Sequence, residues 1–481
     1  MSVNLICYIL GGVSIAIGVA FLPALAVAMK LADGTAPVYG LPALAAFALG
    51  AGLMYKGREH KLRLLVRDCA VVLMGVWGLL SLFGMLPFLF AGGLPIEESL
   101  YESVSAVTTT GLSELPADAS LALVFWRSIL QWLGGLAIVL LLVTVIPQVS
   151  NSFGMSLVMP KTISFVQLIK PMWRLARGVA AVYAVATLLS FFAYRACGLR
   201  WFDAINLGLV TLATGGCYTV GDIAEFRSLW LDFVMMFFMF FASGNFLIYR
   251  EAARHQSLKE ALADREMQAM LVLAAVFGTV ISLYLWAQGT YPLAESLRHG
   301  FFQTMSFIST TGFASAQLVV WPDFVKYMLF ILVFVGGCIG SSTGGFKIIR
   351  FLVLFKEALA ETRRTLHPHM MVHISIGGRT VPQHVVSYIL TIFFLYIAAF
   401  FVATVLVSLS GMEPLASMGV AAACVSSAGP AAFLAGHASA YASLAPWVKL
   451  LCCALMILGR LEIFAFLIVV ETLFSNKRER W

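Results

Sequence analysis

Apolar and polar positions alternate along this chain on a long period. Runs at 5–29, 38–55, 71–90, 125–146, 179–194, 231–248, 270–286, 327–355, 387–409 and 446–474 are almost wholly apolar. A bilayer crossing takes about 20 such residues, so the pattern predicts ten membrane spans. Four shorter apolar segments, 98–107, 202–212, 293–307 and 414–424, stand between them. Each is too short to span but suits a helix that enters the membrane and turns back.

Every short segment ends in a small, hydroxyl-rich run that closes on a glycine. The runs are Val107-Thr108-Thr109-Thr110-Gly111-Leu112-Ser113, Leu212-Ala213-Thr214-Gly215-Gly216-Cys217-Tyr218, Ile308-Ser309-Thr310-Thr311-Gly312-Phe313-Ala314 and Val425-Ser426-Ser427-Ala428-Gly429-Pro430-Ala431. The pattern is span, short helix, glycine loop, span, four times over. It predicts an all-α polytopic membrane protein with four pseudo-repeats around one pore and two extra spans in front. The divisions are 1–64 for the leading spans, then 65–150, 171–260, 266–365 and 380–481 for the repeats. Two full spans per repeat keep all four glycine loops on one side, the outside.

Composition agrees: 61% of the 481 residues are hydrophobic and 11% charged, against roughly 25% charge in a soluble domain. The first run lacks a basic leader and a small-residue cleavage site, so it reads as a retained span. The net charge of +7 is unevenly placed. Clusters such as Lys56-Arg58-Lys61-Arg63-Arg67, Arg250-Arg254-Lys259-Arg265 and Lys347-Arg350-Lys356-Arg363-Arg364 fall in alternate loops. The positive-inside rule places these loops in the cytoplasm, with both termini. The eight cysteines form no CxxC pair and read as small buried hydrophobes.

A monovalent cation sheds its water only where other oxygens replace it. Backbone carbonyls do so when successive residues alternate in φ and all point inward. Glycine accepts the positive φ this demands. Irregular backbone at membrane depth is tolerated where it lines a water-filled cavity. Short helices ending at the loops aim their negative ends at the same cavity.

At this point the chain resembles a Trk-type potassium uptake subunit of the Trk/Ktr/HKT superfamily over almost its whole length. The resemblance rests on Phe125-Trp126-Arg127-Ser128-Ile129-Leu130-Gln131-Trp132-Leu133-Gly134-Gly135 and on the run from Gly336 to Lys347. Gly377-Gly378-Arg379-Thr380-Val381-Pro382 and Gly459-Arg460-Leu461-Glu462-Ile463 complete it. It implies one filter made of four loops, with carbonyls of Thr109, Thr110, Gly111, Leu112, Thr214, Gly215, Gly216, Cys217, Thr310, Thr311, Gly312, Phe313, Ser427, Ala428, Gly429 and Pro430 facing the ion. The fourth loop departs from the family: Ser426-Ser427 stand where an Asn-Asn pair is usual, and Ala431 where glycine is usual. Glycine in all four loops favours potassium, because in the superfamily a serine in the first loop accompanies sodium preference.

The third repeat's last span is interrupted by Gly336, Gly337, Gly340, Ser341, Ser342, Thr343, Gly344 and Gly345. Each glycine costs about 1 kcal/mol relative to alanine in a helix, so this stretch predicts a loop in the pore below the filter. Lys347 follows Phe346, not Gly345, so the ending of a phosphate-binding loop is absent. Arg460 lies near the middle of the last span, where a charge costs several kcal/mol unless it faces water or a partner. The expectation is a gate: the loop 336–345 with Arg460 pointing into the pore beneath the filter. A structural ion pair for Arg460 stays open.

No nucleophile–base pair appears, so no catalysis is expected. The function expected is potassium uptake across a bacterial inner membrane. The alternative is a proton- or sodium-coupled cation symporter. The resemblance further implies a homodimer and a cytosolic nucleotide-binding regulatory subunit of the TrkA type. It implies no covalently bound cofactor and no nucleic acid; potassium is the cargo.

Overall fold

The computed structural model describes residues 3–32, 34–58, 66–116, 118–144, 169–216, 228–257, 263–367, 372–377, 379–429 and 444–461. Among them the chain is helical except for loops and one two-stranded hairpin. Cys217, Pro430, Ala431 and Glu462, singled out in the sequence, lie outside the described residues.

Helices α1 (Val3–Leu31) and α2 (Ala36–Lys56) form the leading pair. They pack closely through glycine: a methyl at Gly11 would stand 2.9 Å from Gly50 O. The pair docks on the first repeat, where Phe21 stacks on Trp126 at 4.0 Å between ring centroids. The Trp126 indole N–H finds Gly84 O at 3.0 Å, so the buried ring keeps its polar atom satisfied.

The first repeat is α3 (Val66–Phe90), the short α4 (Ile96–Val107) and α5 (Leu121–Thr144). The second is α6 (Ile169–Ala196), the short α7 (Trp201–Ala213), then α8 (Leu229–Ser243) and α9 (Phe246–His255). The third is α10 (Arg265–Ala287), the short α11 (Leu293–Ile308), α12 (Asp323–Val335) and α13 (Ile348–Leu366). A small hairpin follows, β1 (Ser375–Ile376) antiparallel to β2 (Arg379–Thr380). The fourth repeat is α14 (Gln383–Ser408), the short α15 (Pro414–Ser426) and α16 (Pro446–Arg460).

Seven described helices are long and apolar enough to cross a membrane: α1, α2, α3, α5, α6, α10 and α14. The last spans of repeats two, three and four differ. The second was expected unbroken over 231–248, but it bends by 97° between α8 and α9. Gly244 is extended there, and a methyl on it would stand 1.8 Å from Tyr249 Oη. Asn245 then starts α9 by accepting the Leu247 N–H at 2.9 Å, a regular N-cap. The third breaks where expected: α12 ends at Val335, and Gly336 turns to φ 72°. The fourth is described as far as Leu461.

The four short helices hold 12, 13, 16 and 13 residues. At about 1.5 Å per residue none reaches across a ~30 Å core. Their C-terminal halves are buried. Glycines on the following helices let two of them seat. A methyl at Gly134 would stand 1.8 Å from Val107 O, and one at Gly459 would stand 2.2 Å from Val425 O. These glycines belong to the motifs quoted above; their role is close approach of two backbones.

Candidate ion pathway

The four loops share one backbone feature. Two residues before each loop glycine stands a non-glycine residue in the left-handed region: Thr109 (φ 55°), Thr214 (φ 54°), Thr310 (φ 54°) and Ser427 (φ 44°). A β-branched residue rarely adopts this conformation, and such strain costs on the order of 1–3 kcal/mol per residue. Gly111, Gly216 and Gly312 also have positive φ, at 79°, 65° and 80°. Thr110, Gly215 and Thr311 between them do not. Three loops therefore alternate left-handed, ordinary, left-handed. In the fourth loop, Gly429 has no positive φ; its N–H donates to Thr310 O at 3.2 Å.

The loops meet each other. A methyl at Gly216 would stand 1.6 Å from Thr311 O, and one at Gly429 would stand 2.4 Å from the same oxygen. Glycine is a requirement of space at both positions, and at Gly216 of φ as well.

Loops one and three are braced alike. Ser105 Oγ donates to Leu112 O at 2.5 Å, and Ser306 Oγ donates to Phe313 O at 2.8 Å. One turn earlier on each short helix an acceptor holds the outgoing chain. Glu102 takes the Glu114 N–H at 2.8 Å and the Ser113 hydroxyl at 2.9 Å. Gln303, with its amide turned so that both ends are satisfied, takes the Ser315 N–H at 2.7 Å and donates to Phe313 O at 3.2 Å. In loop one that second donor is Arg127, which pairs with the buried Glu102 and reaches Leu112 O at 3.1 Å. Loop two is held differently: Gln131, from repeat one, donates to Gly215 O at 3.1 Å.

Two of the expected ligand carbonyls also have donors within the protein. The carbonyls of Leu112 and Phe313 each already accept from two protein donors, which occupies both lone pairs. These bonds fasten each loop to its short helix.

Beneath the loops lies the stretch from Gly336 to Lys347. It contacts three of the four. Ser342 Oγ donates to Leu212 O at 2.9 Å, and Thr214 Oγ1 donates to Ser342 O at 3.1 Å. The Gly344 N–H reaches Thr310 Oγ1 at 2.9 Å, and the Gly345 N–H reaches Ser426 O at 2.8 Å. A methyl at Gly344 would stand 1.9 Å from Ser426 O. Two of the left-handed hydroxyls are thus bonded to this stretch. Thr109 Oγ1 and Ser427 Oγ are buried with no partner among the described residues.

The stretch is also held by its own Lys347 and by neighbouring helices. Lys347 Nζ binds Thr343 O at 2.5 Å and Thr343 Oγ1 at 3.0 Å. Glu266, buried on α10, accepts the Ile339 N–H at 2.7 Å. Cys338 N donates to Ser243 O at 2.8 Å, and Phe246 N donates to Gly340 O at 3.2 Å, on either side of the α8–α9 bend. The bend therefore serves the loop: it turns one carbonyl and one N–H toward it. Arg460 enters from the fourth repeat and donates through Nη2 to Ser342 O at 2.5 Å.

The profile of the cation transport protein family TrkH matches residues 41–479. The chain belongs to the TrkH family of cation transport proteins. The Trk system potassium uptake protein TrkH of Halomonas elongata is 30% identical over 99% of this chain and its own full length. The protein TrkG of Escherichia coli, of the same description, is 30% identical over 94% of each chain. The crystal structure of the potassium transporter TrkH from Vibrio parahaemolyticus superposes with a TM-score of 0.90. It has 27% identity and covers 99% of this chain and 100% of that one.

Within this TrkH-family fold the described candidates are brought together. Loops two, three and four surround the stretch from Gly336 to Gly345, and Arg460 reaches the same stretch. Sequence reading missed Glu102, Arg127, Gln131, Gln303, Glu266 and Lys347. Polar or charged residues inside otherwise apolar helices were the available signal for the first four.

Ion pairs also tie the repeats to one another. Lys449 on α16 binds Glu98 at 2.9 Å and Glu114 at 2.8 Å in repeat one. Asp232 on α8 pairs with Arg298 on α11 at 2.5 Å. Burial pushes the Glu114 carboxyl up to about 7, with Lys449 opposing the shift.

Proposed function

We propose that this chain carries potassium across a bacterial inner membrane, through a filter of backbone carbonyls supplied by its four glycine loops. The single observation that carries the reading is the left-handed residue recurring at Thr109, Thr214, Thr310 and Ser427. One strained residue is an accident of a turn; the same strain at four equivalent places is over-determined by its surroundings and marks a functional site. The ligands are the carbonyls of Thr109, Thr110, Thr214, Gly215, Thr310, Thr311, Ser427 and Ala428, with those of the loop glycines above them. The buried hydroxyls of Thr109 and Ser427 add oxygens at the inner end.

The stretch from Gly336 to Gly345 and Arg460 form the gate. Ser342 O gathers Thr214 and Arg460, so loop, filter and cation meet at one atom. A positive charge below a cation filter opposes conduction. Opening breaks these bonds together and swings the stretch aside, hinged on glycine. The basic loops face the cytoplasm, the chain pairs with a second copy, and a cytosolic nucleotide-binding subunit of the TrkA type sets the gate. The relatives' described role in potassium uptake supports the cargo.

Radioactive rubidium uptake into proteoliposomes tests the cargo. Unlabelled potassium is expected to compete and sodium to compete far less. Equal competition by the two ions would remove the potassium assignment.

A further inference from the structure

A cavity of ≈ 520 Å³ opens between α10, α13 and the β1–β2 hairpin, away from the ion pathway. Its walls have two characters. On α10, Arg265, Gln268, Ala269 and Val272 share one face by their helical spacing. On α13, Leu352 and Lys356 do the same. Arg265 and Lys356 both reach the hairpin. Lys356 Nζ donates to Ser375 O at 2.5 Å, and a methyl on Gly377 would stand 3.9 Å from Arg265 Cγ. One end of the cavity is thus cationic. Val272 lies two turns along α10, about 10 Å away, and is 61% exposed on a helix apolar enough to cross a membrane. No carboxylate lines the cavity among the described residues. The nearby Glu357 and Glu361 are engaged by Arg364.

We propose that this cavity binds an anionic phospholipid of the cytoplasmic leaflet, its phosphate between Arg265 and Lys356 and its acyl chains along Ala269, Val272 and Leu352. A basic recess between helices at the cytoplasmic surface is how proteins hold such headgroups. A free phosphate would use the two cations and leave the apolar walls wet. The side of the membrane rests on the topology proposed above.

The site is joined to the proposed gate through neighbouring residues. Arg265 precedes Glu266, which holds the Ile339 N–H. Lys356 is on the helix that begins right after Lys347, and Ile348 N donates to Gly337 O at 3.1 Å. A lipid bridging Arg265 and Lys356 fixes α10 against α13, the two supports of the gating stretch, and so sets how easily that stretch moves.

The full-length protein in nanodiscs of mixed phosphatidylglycerol and phosphatidylcholine, released into native mass spectrometry, tests the binding. Wild type is expected to retain phosphatidylglycerol roughly tenfold over phosphatidylcholine, from two cations at the surface. Arg265→Gln with Lys356→Gln, and separately Ala269→Trp filling the cavity, should abolish that preference. Equal retention in wild type and both variants would overturn the site. Displacement of the lipid by soluble glycerol phosphate would overturn the lipid in favour of a free anion. Rubidium uptake in wild type should vary with phosphatidylglycerol content, and in the variants it should not. Variants that lose the lipid yet keep that dependence would overturn the link to the gate. Retention is read without transport, so a failure of the potassium reading leaves this outcome distinct.

Discussion

Arg460 Nη2 lies 2.5 Å from the carbonyl oxygen of Ser342, a residue 118 positions earlier in the chain. The other two guanidinium nitrogens have no hydrogen-bond partner among the described residues, and the side chain is buried. A charge so placed costs several kcal/mol. A helix interior selected for stability alone would carry leucine there. The cost is offset only if the charge has a task, and its hydrogen bond among the described residues goes to the stretch from Gly336 to Gly345. Arg460→Gln is therefore expected to raise rubidium uptake several-fold in the absence of any regulatory partner. Unchanged or lower uptake at equal protein level would remove Arg460 from the gate.

Gly312 has φ 80° and lies in the loop that loops two and four both touch. Serine there adds a Cβ in a conformation that costs it about 1 kcal/mol. Gly312→Ser should weaken the preference for potassium over sodium while leaving some transport. Bi-ionic reversal potentials read this directly; an unaltered ratio would take the third loop out of the filter. Gly216→Ala is harsher, because its methyl would stand 1.6 Å from Thr311 O. It should abolish uptake in a protein that still reaches the membrane.

The Arg127–Glu102 pair is almost wholly buried, at 2% and 0% side-chain exposure. Removing one partner of such a pair costs about 3–5 kcal/mol, because the other charge is left alone. Arg127→Met should lower the melting temperature in detergent sharply. Arg127→Met with Glu102→Gln, which mimics the neutral Gln303 of the third loop, should recover most of it. Equal melting temperatures for the single and double variants would show that the pair braces nothing.

Much of this was legible from the spacing of apolar runs. The four loops, the break at Gly336 and the burial of Arg460 all follow from patterns of fewer than about 30 residues, the scale on which periodicity carries information. The bend at Gly244 was not. Ser243-Gly244-Asn245 sits inside an apolar run, and only the approach of Tyr249 and of the stretch from Gly336 to Gly345 makes the break necessary. Glu266 and Ile339 meet from 73 residues apart, and no local rule joins them. The donors to the Leu112 and Phe313 carbonyls were not legible either, because the glycine repeat marks where a loop turns and not which donors it meets.

Glu114 supplies a pH dependence. Its carboxyl, ordinarily near 4.5, is raised to about 7, chiefly by burial. Between those values the folded protein holds a proton that the unfolded chain has released. Its contribution to stability is therefore present below 4.5 and lost as pH rises toward about 7. The slope of melting temperature against pH across that window should flatten in Glu114→Gln. An identical slope in wild type and variant would mean that Glu114 titrates normally.

The loops around Gly111, Gly216, Gly312 and Gly429 are proposed to enclose one ion path. Anomalous diffraction from crystals grown in rubidium or thallium measures it most directly. Peaks are expected on the axis shared by Thr109, Thr214, Thr310 and Ser427, ringed by their carbonyls, and sodium should not displace them. Peaks confined to other parts of the molecule, or none between the loops, would contradict it.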